Sequence, residues 1–491
     1  MLILTNFEFY IPEIFLTVNL LLLILYSVIY AKKSGSGFYK YKESIKNLSI
    51  INLTITLIIL ILFKFNITSD TFSSSGGLLM TNDLILTIKI IITLSSIVIL
   101  KLSDNLEIYE YSILITMALI GMLIILSASD LIILYLGIEL LSLTLYILSS
   151  INNKGELSTE AGLKYFIIGA VSSGILLIGC ALIYSNTGLT GYIELENIFV
   201  YENTKNLGAI FILISMLLKL GSAPFHMWLP DVYDGSPTII TTYFAIVPKI
   251  AIFGALITLI TGPFMALFDN YQNIIILSGT LSIIIGTLGA LNQNKLKRLF
   301  AYSAISHIGF ILIGLSTMSL NGLIATLIYF IFYIVMTLLT FTIILNIAPH
   351  SANPLNLLLG LSRINPLLAL SLSLCLLSIA GVPPLVGFLT KFLIISSALQ
   401  NSMWIVTVIA IIASMISAFY YLQLIKFMWF KDSPYLNIKL LSDVTTHITL
   451  PKLTLVSSTI ISISTFIILT GLIYPKPWFA LANLSFVGSL I

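Results

Sequence analysis

Apolar residues run in stretches of about twenty, separated by short polar or basic intervals, from about residue 11 to about residue 474. A helix needs roughly 20 such residues to cross a hydrocarbon layer, so the pattern predicts an all-α, polytopic membrane protein. Transmembrane spans are expected at 11–30, 47–65, 83–101, 110–127, 129–150, 161–185, 207–222, 237–261, 272–291, 298–317, 321–345, 365–398, 403–428 and 452–474, about fourteen in all. Strand-type alternation is absent, and the apolar runs far exceed the roughly 10 residues of a barrel strand.

Two of these spans carry helix breakers. Gly221-Ser222-Ala223-Pro224 interrupts the seventh and Gly381-Val382-Pro383-Pro384 the twelfth. A weak internal echo accompanies them at an offset of about 165 residues: Tyr135-Leu-Gly-Ile-Glu139 answers to Tyr302-Ser-Ala-Ile-Ser306, and Leu163-Lys164-Tyr165-Phe166 to Leu327-Ile328-Tyr329-Phe330. Five spans separate the copies, and an odd number inverts the topology of the second. The expected organisation is therefore three N-terminal helices (1–109), a first five-helix repeat (110–261), a second, inverted one (272–430), and a connecting segment with a C-terminal helix (431–491). Paired broken helices in inverted repeats point to a transport site, because an interrupted helix offers free carbonyls and N–H groups at membrane depth.

Composition agrees with lipid as the main solvent: 58% of the 491 residues are hydrophobic and 9% charged, too few polar groups to cover a water-soluble domain of this size. If loops alternate sides, one side receives Lys32, Lys33, Lys40, Lys42, Lys46, Lys101, Lys154, Lys295, Lys297, Arg298, Arg363, Lys426, Lys431, Lys439 and Lys452, and the other only Lys205 and Lys476. That asymmetry puts the basic loops inside and both termini outside. A net charge of +3 with scattered lysines gives no footprint for a nucleic-acid partner. Cys180 and Cys375 lie in apolar spans outside any Cys-x-x-Cys or Cys/His cluster, and the Gly35-Ser36-Gly37 stretch follows no strand. No metal, redox or nucleotide site is therefore expected in this chain. The first span lacks the features of a cleaved leader and is expected to be retained. The bias toward Ile, Leu, Asn, Lys, Phe and Tyr resembles the product of an AT-rich genome such as an organelle's.

The chemistry lies in charges placed where hydrocarbon disfavours them, at a cost of several kcal/mol unless they are paired, hydrated or neutral. Lys64, near a span end, can snorkel. Lys89, Lys164, Lys219, Lys249 and Lys391 fall within spans, and Glu139 is the acid halfway along one. A lysine in such surroundings loads or releases a proton when its ion-pair partner moves. Glu139 has a structural salt bridge as its alternative role; Lys164, in the first turns of its span, has snorkelling or a plain ion pair, and is otherwise the partner of Glu139. Lys219 precedes the first break by two residues. Lys249 follows Pro248, which removes a backbone donor and makes room for water. Lys391 lies seven residues beyond Pro384. His307 is a possible relay or a hydrogen-bonded packing histidine, and His226 has the same two readings. Lys89, outside both repeats, reads as structural or as a lipid-interface residue. Asp231 and Asp234 read as helix N-terminal acids.

The run Leu217-Leu-Lys219-Leu-Gly-Ser-Ala-Pro-Phe-His-Met-Trp-Leu-Pro-Asp231-Val-Tyr-Asp-Gly-Ser-Pro237, joined to Pro248-Lys249, resembles the subunit 2 family of the proton-pumping NADH:ubiquinone oxidoreductase, respiratory complex I. Further matching stretches are Tyr135-Leu-Gly-Ile-Glu139, Ser158-Thr-Glu-Ala-Gly-Leu-Lys164-Tyr, Lys297-Arg-Leu-Phe-Ala-Tyr-Ser-Ala-Ile-Ser-His307 and Gly381-Val-Pro-Pro-Leu-Val-Gly-Phe-Leu-Thr-Lys391. The resemblance runs from about residue 120 to 430; the three N-terminal spans match in hydropathy alone, and the 31–46 and 431–452 segments follow no recognisable pattern. It implies a fourteen-helix antiporter-like fold, related to multisubunit cation/proton antiporters, in which quinone reduction elsewhere in the complex drives proton translocation. It further implies a modulating ion pair at Glu139 and Lys164, a central proton site at Lys219 and Lys249, and Lys391 leading outward.

By the same resemblance, NADH, FMN, iron–sulfur clusters and ubiquinone belong to other subunits. The expected partners are a neighbouring small multi-helix subunit, the next antiporter-like subunit and membrane lipids. The expected location is the mitochondrial inner membrane with basic loops on the matrix side, or alternatively a bacterial plasma membrane. The competing functions are a subunit of a multisubunit cation/proton antiporter working without quinone chemistry, and a purely structural membrane anchor.

Overall fold

The computed structural model describes residues 10–31, 38–66, 72–73, 78–103, 108–152, 155–201, 207–347, 355–431 and 453–487. Most of the 431–452 segment, residues 32–37 of the 31–46 loop, and Lys32, Lys33, Lys154, Lys205, Lys439 and Lys452 lie outside them.

The elements in chain order are α1 (Ile11–Ala31), α2 (Phe38–Asn66), a two-stranded antiparallel pair β1 (Phe72–Ser73) and β2 (Met80–Thr81), α3 (Asp83–Leu102), α4 (Glu110–Ser127), α5 (Leu131–Ser149), α6 (Glu156–Thr187), α7 (Tyr192–Tyr201), α8 (Leu207–Leu220), α9 (Trp228–Gly235) and α10 (Thr238–Thr261). They continue as α11 (Phe268–Leu291), α12 (Leu296–Ser316), α13 (Leu320–Ile347), α14 (Leu361–Ile364), α15 (Pro366–Ala380), α16 (Val386–Gln400), α17 (Trp404–Phe430), α18 (Leu455–Ile473) and α19 (Lys476–Val487). Among the described residues, twelve helices are long and apolar enough to cross a membrane, and they fall on twelve of the expected spans. The other two expected spans are the interrupted ones, where helix stops at Leu220 and at Ala380. The short helices α7, α9, α14 and α19 were not expected. At 1.5 Å per residue none reaches across a bilayer, so a search for twenty-residue apolar runs passes over them.

The two interruptions share a construction. Gly221 and Gly381 take left-handed φ values of 74° and 89°, a region open to glycine because it has no Cβ. At the second break the Gly381 and Val382 N–H groups return to the Leu377 carbonyl, each at 3.1 Å, which closes the helix end in a Schellman manner. Serine hydroxyls take backbone donors beyond each break: Ala223 N–H reaches Ser282 Oγ at 2.8 Å and Gly387 N–H reaches Ser378 Oγ at 3.1 Å. The broken backbone is thereby satisfied within protein, as membrane depth requires.

The chain forms two compact units. The first comprises the chain through Gly221, Tyr243–Ile274 and the C-terminal stretch from Asn483; the second comprises Ser222–Thr242 and Ile275–Ala482. In the first, α4 lies against α5 and α6 against α8 at reciprocal glycine crossings: a Cβ on Gly121 would sit 3.1 Å from the Gly137 carbonyl oxygen, and one on Gly208 would sit 2.7 Å from that of Gly179. In the second, α11 and α12 cross the same way at Gly279 and Gly309. Small residues let helix backbones approach where lipid supplies no hydrophobic drive between helices. α13, buried over most of its length, packs against α12, α15, α16 and α18 in the second unit.

Candidate functional site

Four of the expected site residues belong to the first unit. Glu139 lies in the middle of α5, half-buried. Ser142 Oγ stands 3.5 Å from its Oε2, while its Oε1 is buried without a hydrogen-bond partner among the described residues. The Glu139 carboxylate acts electrostatically on the Lys219 ammonium, at the last turn of α8 directly before Gly221.

Lys164 sits in the third turn of α6, where its Nζ lies 2.7 Å from Glu160 Oε1, both side chains partly exposed. Glu160 is thus a partner that the expected Glu139–Lys164 pairing did not include. Its signal was present in the sequence as a Glu four residues ahead of a Lys, the favourable order on a helix.

Lys249 is 3% exposed, on the central turns of α10. Pro248 within that helix offers no N–H, which leaves the Phe244 carbonyl without its helical donor one turn earlier. The Phe244 ring rests against Tyr165, at 5.7 Å between centroids, and Tyr165 meets Tyr146 edge-on at 5.0 Å. These ring contacts link α5 to α6 and α6 to α10.

Lys391, His307 and His226 belong to the second unit. Lys391 Nζ donates to the Ala380 carbonyl at 2.8 Å and stands 5.5 Å from the centre of the Phe310 ring. The ammonium therefore caps the negative end of the first half of the broken helix, and an aromatic face adds a second attraction. Gly381 is required here twice over, because a Cβ would come within 3.0 Å of Lys391 Cδ. His307 Nδ1 shares a 2.6 Å hydrogen bond with the Tyr329 hydroxyl. His226, in the turn before α9, is buried, and its Nδ1 has no hydrogen-bond partner among the described residues.

Other charged groups show what the sequence pattern does not disclose. Lys89, 1% exposed, forms a buried ion pair with Glu13 of α1. That contact removes the lipid-interface reading of Lys89 and leaves the structural one. Glu13 stands too near a span end to be noticed as a mid-membrane acid, and 76 residues separate the pair. Asp231 and Asp234 are more than helix N-terminal acids: they pair with Arg298 at 2.9 Å and Lys295 at 2.7 Å, while Lys297 Nζ donates to the Ser236 carbonyl at 2.8 Å. Three basic residues around the start of α12 thereby clasp α9, which explains why Ser222–Thr242 belongs to the second unit.

Each unit thus holds a lysine beside a helix break, and the first also holds Lys249 in a proline-interrupted span. A profile of the family described as NADH:quinone oxidoreductase/Mrp antiporter, TM, matches residues 128–417. The chain belongs to this family. It is 38% identical to the NADH-quinone oxidoreductase subunit N of Pelagibacter ubique, over 87% of this chain and 90% of that one. It is 36% identical to the NADH-ubiquinone oxidoreductase chain 2 of Marchantia polymorpha, over 96% of both. Among solved structures, a chain of respiratory complex I from Thermus thermophilus is similar, with a TM-score of 0.78 and 26% identity over 96% of this chain and 98% of that one. A chain of the Mrp complex from Dietzia sp. shares the fold, with a TM-score of 0.84 at 18% identity over 98% and 97%.

Proposed function

We propose that the chain is a proton-translocating, non-redox subunit of the membrane arm of an NADH:quinone oxidoreductase, in which quinone reduction in other subunits drives protons through its buried Lys and Glu residues. Glu139 and Lys164 modulate the charge at Lys219; Lys219 and Lys249 hold and release the proton; His307 relays it and Lys391 passes it outward. The observation that carries the reading is Lys249, an amine 3% exposed in the middle of a spanning helix, where burying a charge costs several kcal/mol. Relatives named as subunits of this enzyme match most of the chain, which supports this reading over an antiporter subunit, for which the Mrp likeness supplies the fold alone.

The organisation into 1–109, two inverted repeats at 110–261 and 272–430, and 431–491 belongs to the same proposal, supported by the shared construction at Gly221 and Gly381. So do NADH, FMN, iron–sulfur clusters and ubiquinone in other subunits, neighbouring membrane-arm subunits as partners, and basic loops facing the matrix or cytoplasm. The test is Lys249→Ala in the assembled complex, reconstituted in proteoliposomes. NADH-driven proton uptake is expected to fall about 100-fold, the scale of losing a group that transfers the proton. Uptake and quinone-linked NADH oxidation at wild-type rates would sink the proposal.

A further inference from the structure

A cavity of about 570 Å³ opens in the second unit where the end of α11, the start of α12 and the last turns of α17 meet. Its mouth is polar: Asn292, Gln293 and Asn294 come from the turn between α11 and α12, and Gln423 from α17. That turn runs directly into Lys295, Lys297 and Arg298, so the mouth lies on the basic-loop side. Its floor is Tyr420, which lines the cavity yet is 2% exposed. Tyr420 precedes the end of α17 by ten residues, about 15 Å of helix, so the cavity reaches well into the span.

Polar groups continue inward from that floor. The Tyr420 and Tyr421 rings lie 4.3 Å apart. Both hydroxyls are buried without a hydrogen-bond partner among the described residues; Tyr421 and Ser306 lie near Tyr420, and Tyr420 and Ser303 near Tyr421. Those two serines donate to the Ser303 and Phe300 carbonyls, which leaves their lone pairs open as acceptors. Both tyrosines lie near Tyr329, whose hydroxyl shares the 2.6 Å bond with His307. Phe310, stacked on Tyr329, is the ring over which Lys391 sits. Buried hydroxyls gathered in this way, each with two or more polar neighbours, are where bridging water is held.

We infer that this cavity is a water-filled mouth through which protons from the aqueous phase on the basic-loop side reach His307 by way of Tyr420, Tyr421 and Tyr329. It deepens the proton-path reading above and rests on it. Each hydroxyl accepts a proton on a lone pair as it passes its own proton on, so no phenol is left ionised and the net transfer is one proton from water to the imidazole. His307 then stands at the inner end of a relay as well as beside Lys391's aromatic neighbour.

The test uses the assembled complex and two readouts. Gln423→Cys is expected to react rapidly with a charged, membrane-impermeant methanethiosulfonate added on the basic-loop side; the native Cys180 and Cys375 are buried. Tyr420→Phe, which keeps the ring, is expected to lower the rate of proton uptake about fivefold, the rate equivalent of one net hydrogen bond. Labelling only from the opposite side, or no labelling, would overturn the inference. So would wild-type uptake in Tyr420→Phe while Lys249→Ala is silent, a result that leaves the proton-path reading standing. If Lys249→Ala pumps normally, that reading fails and the inference falls with it.

Discussion

Glu13 and Lys89 show what a charge inside the membrane does when it serves packing. Both are buried, and the pair ties α1 to α3 ahead of the first expected repeat. Removing one partner leaves a charge with nothing to balance it, whereas removing both together is nearly neutral. Lys89→Met alone is therefore expected to cost about 3–5 kcal/mol and to lower the yield of assembled complex. Glu13→Gln with Lys89→Met is expected to restore most of that yield on a native gel. A double variant as depleted as the single one would refute the pairing. Lys164 presents the opposite case. Its pair with Glu160 is half in solvent, and such i,i+4 pairs contribute about 0.3–0.5 kcal/mol. Glu160→Gln is thus expected to leave assembly and pumping unchanged, while Lys164→Ala lowers pumping if the lysine acts on Lys219; equal effects of the two would reduce Lys164 to a surface ion pair.

At the scale of elements, the broken helix α15–α16 couples backbone to charge. Ala380 ends its first half with a free carbonyl, Gly381 turns the chain, and Lys391 in the second half reaches back to that carbonyl. A side chain at Gly381 would both strain a left-handed backbone and push on Lys391 Cδ. Gly381→Ala is expected to cost about 1–3 kcal/mol and, in complex that still assembles, to reduce proton uptake more than NADH oxidation, because the displaced group is the lysine. Normal uptake from Gly381→Ala would mean that the position of Lys391 over Ala380 does not matter. The serines that take up the freed N–H groups, Ser282 and Ser378, perform the matching service for the backbone.

For the whole molecule, the fifteen basic residues assigned to one side set the expected orientation. Asn292→Cys, in the turn after α11, and Asn186→Cys, at the end of α6, are expected to react with an impermeant thiol reagent from opposite faces of the membrane. Labelling of both from one face would break the span count between them. The positions of the spans and of their two interruptions were legible in the sequence, because hydropathy over twenty residues and the helix-breaking chemistry of Gly and Pro are local properties. So were Lys89, Lys249 and Lys391 as buried charges, since a lysine amid apolar residues is conspicuous without knowing its neighbours, whereas Glu13 was not. Pairing was not. Glu13 with Lys89, Asp231 with Arg298 and His307 with Tyr329 are separated by 76, 67 and 22 residues, and each contact exists only because packing sets one helix against another. The cavity above Tyr420 has the same origin: its wall comes from the end of α11, the start of α12 and the far end of α17. The chain's residue order determined which segments enter the membrane and which charges go with them. Only the tertiary structure decided which of those charges meet, since a buried charge takes its role from the polar atoms that folding brings within reach.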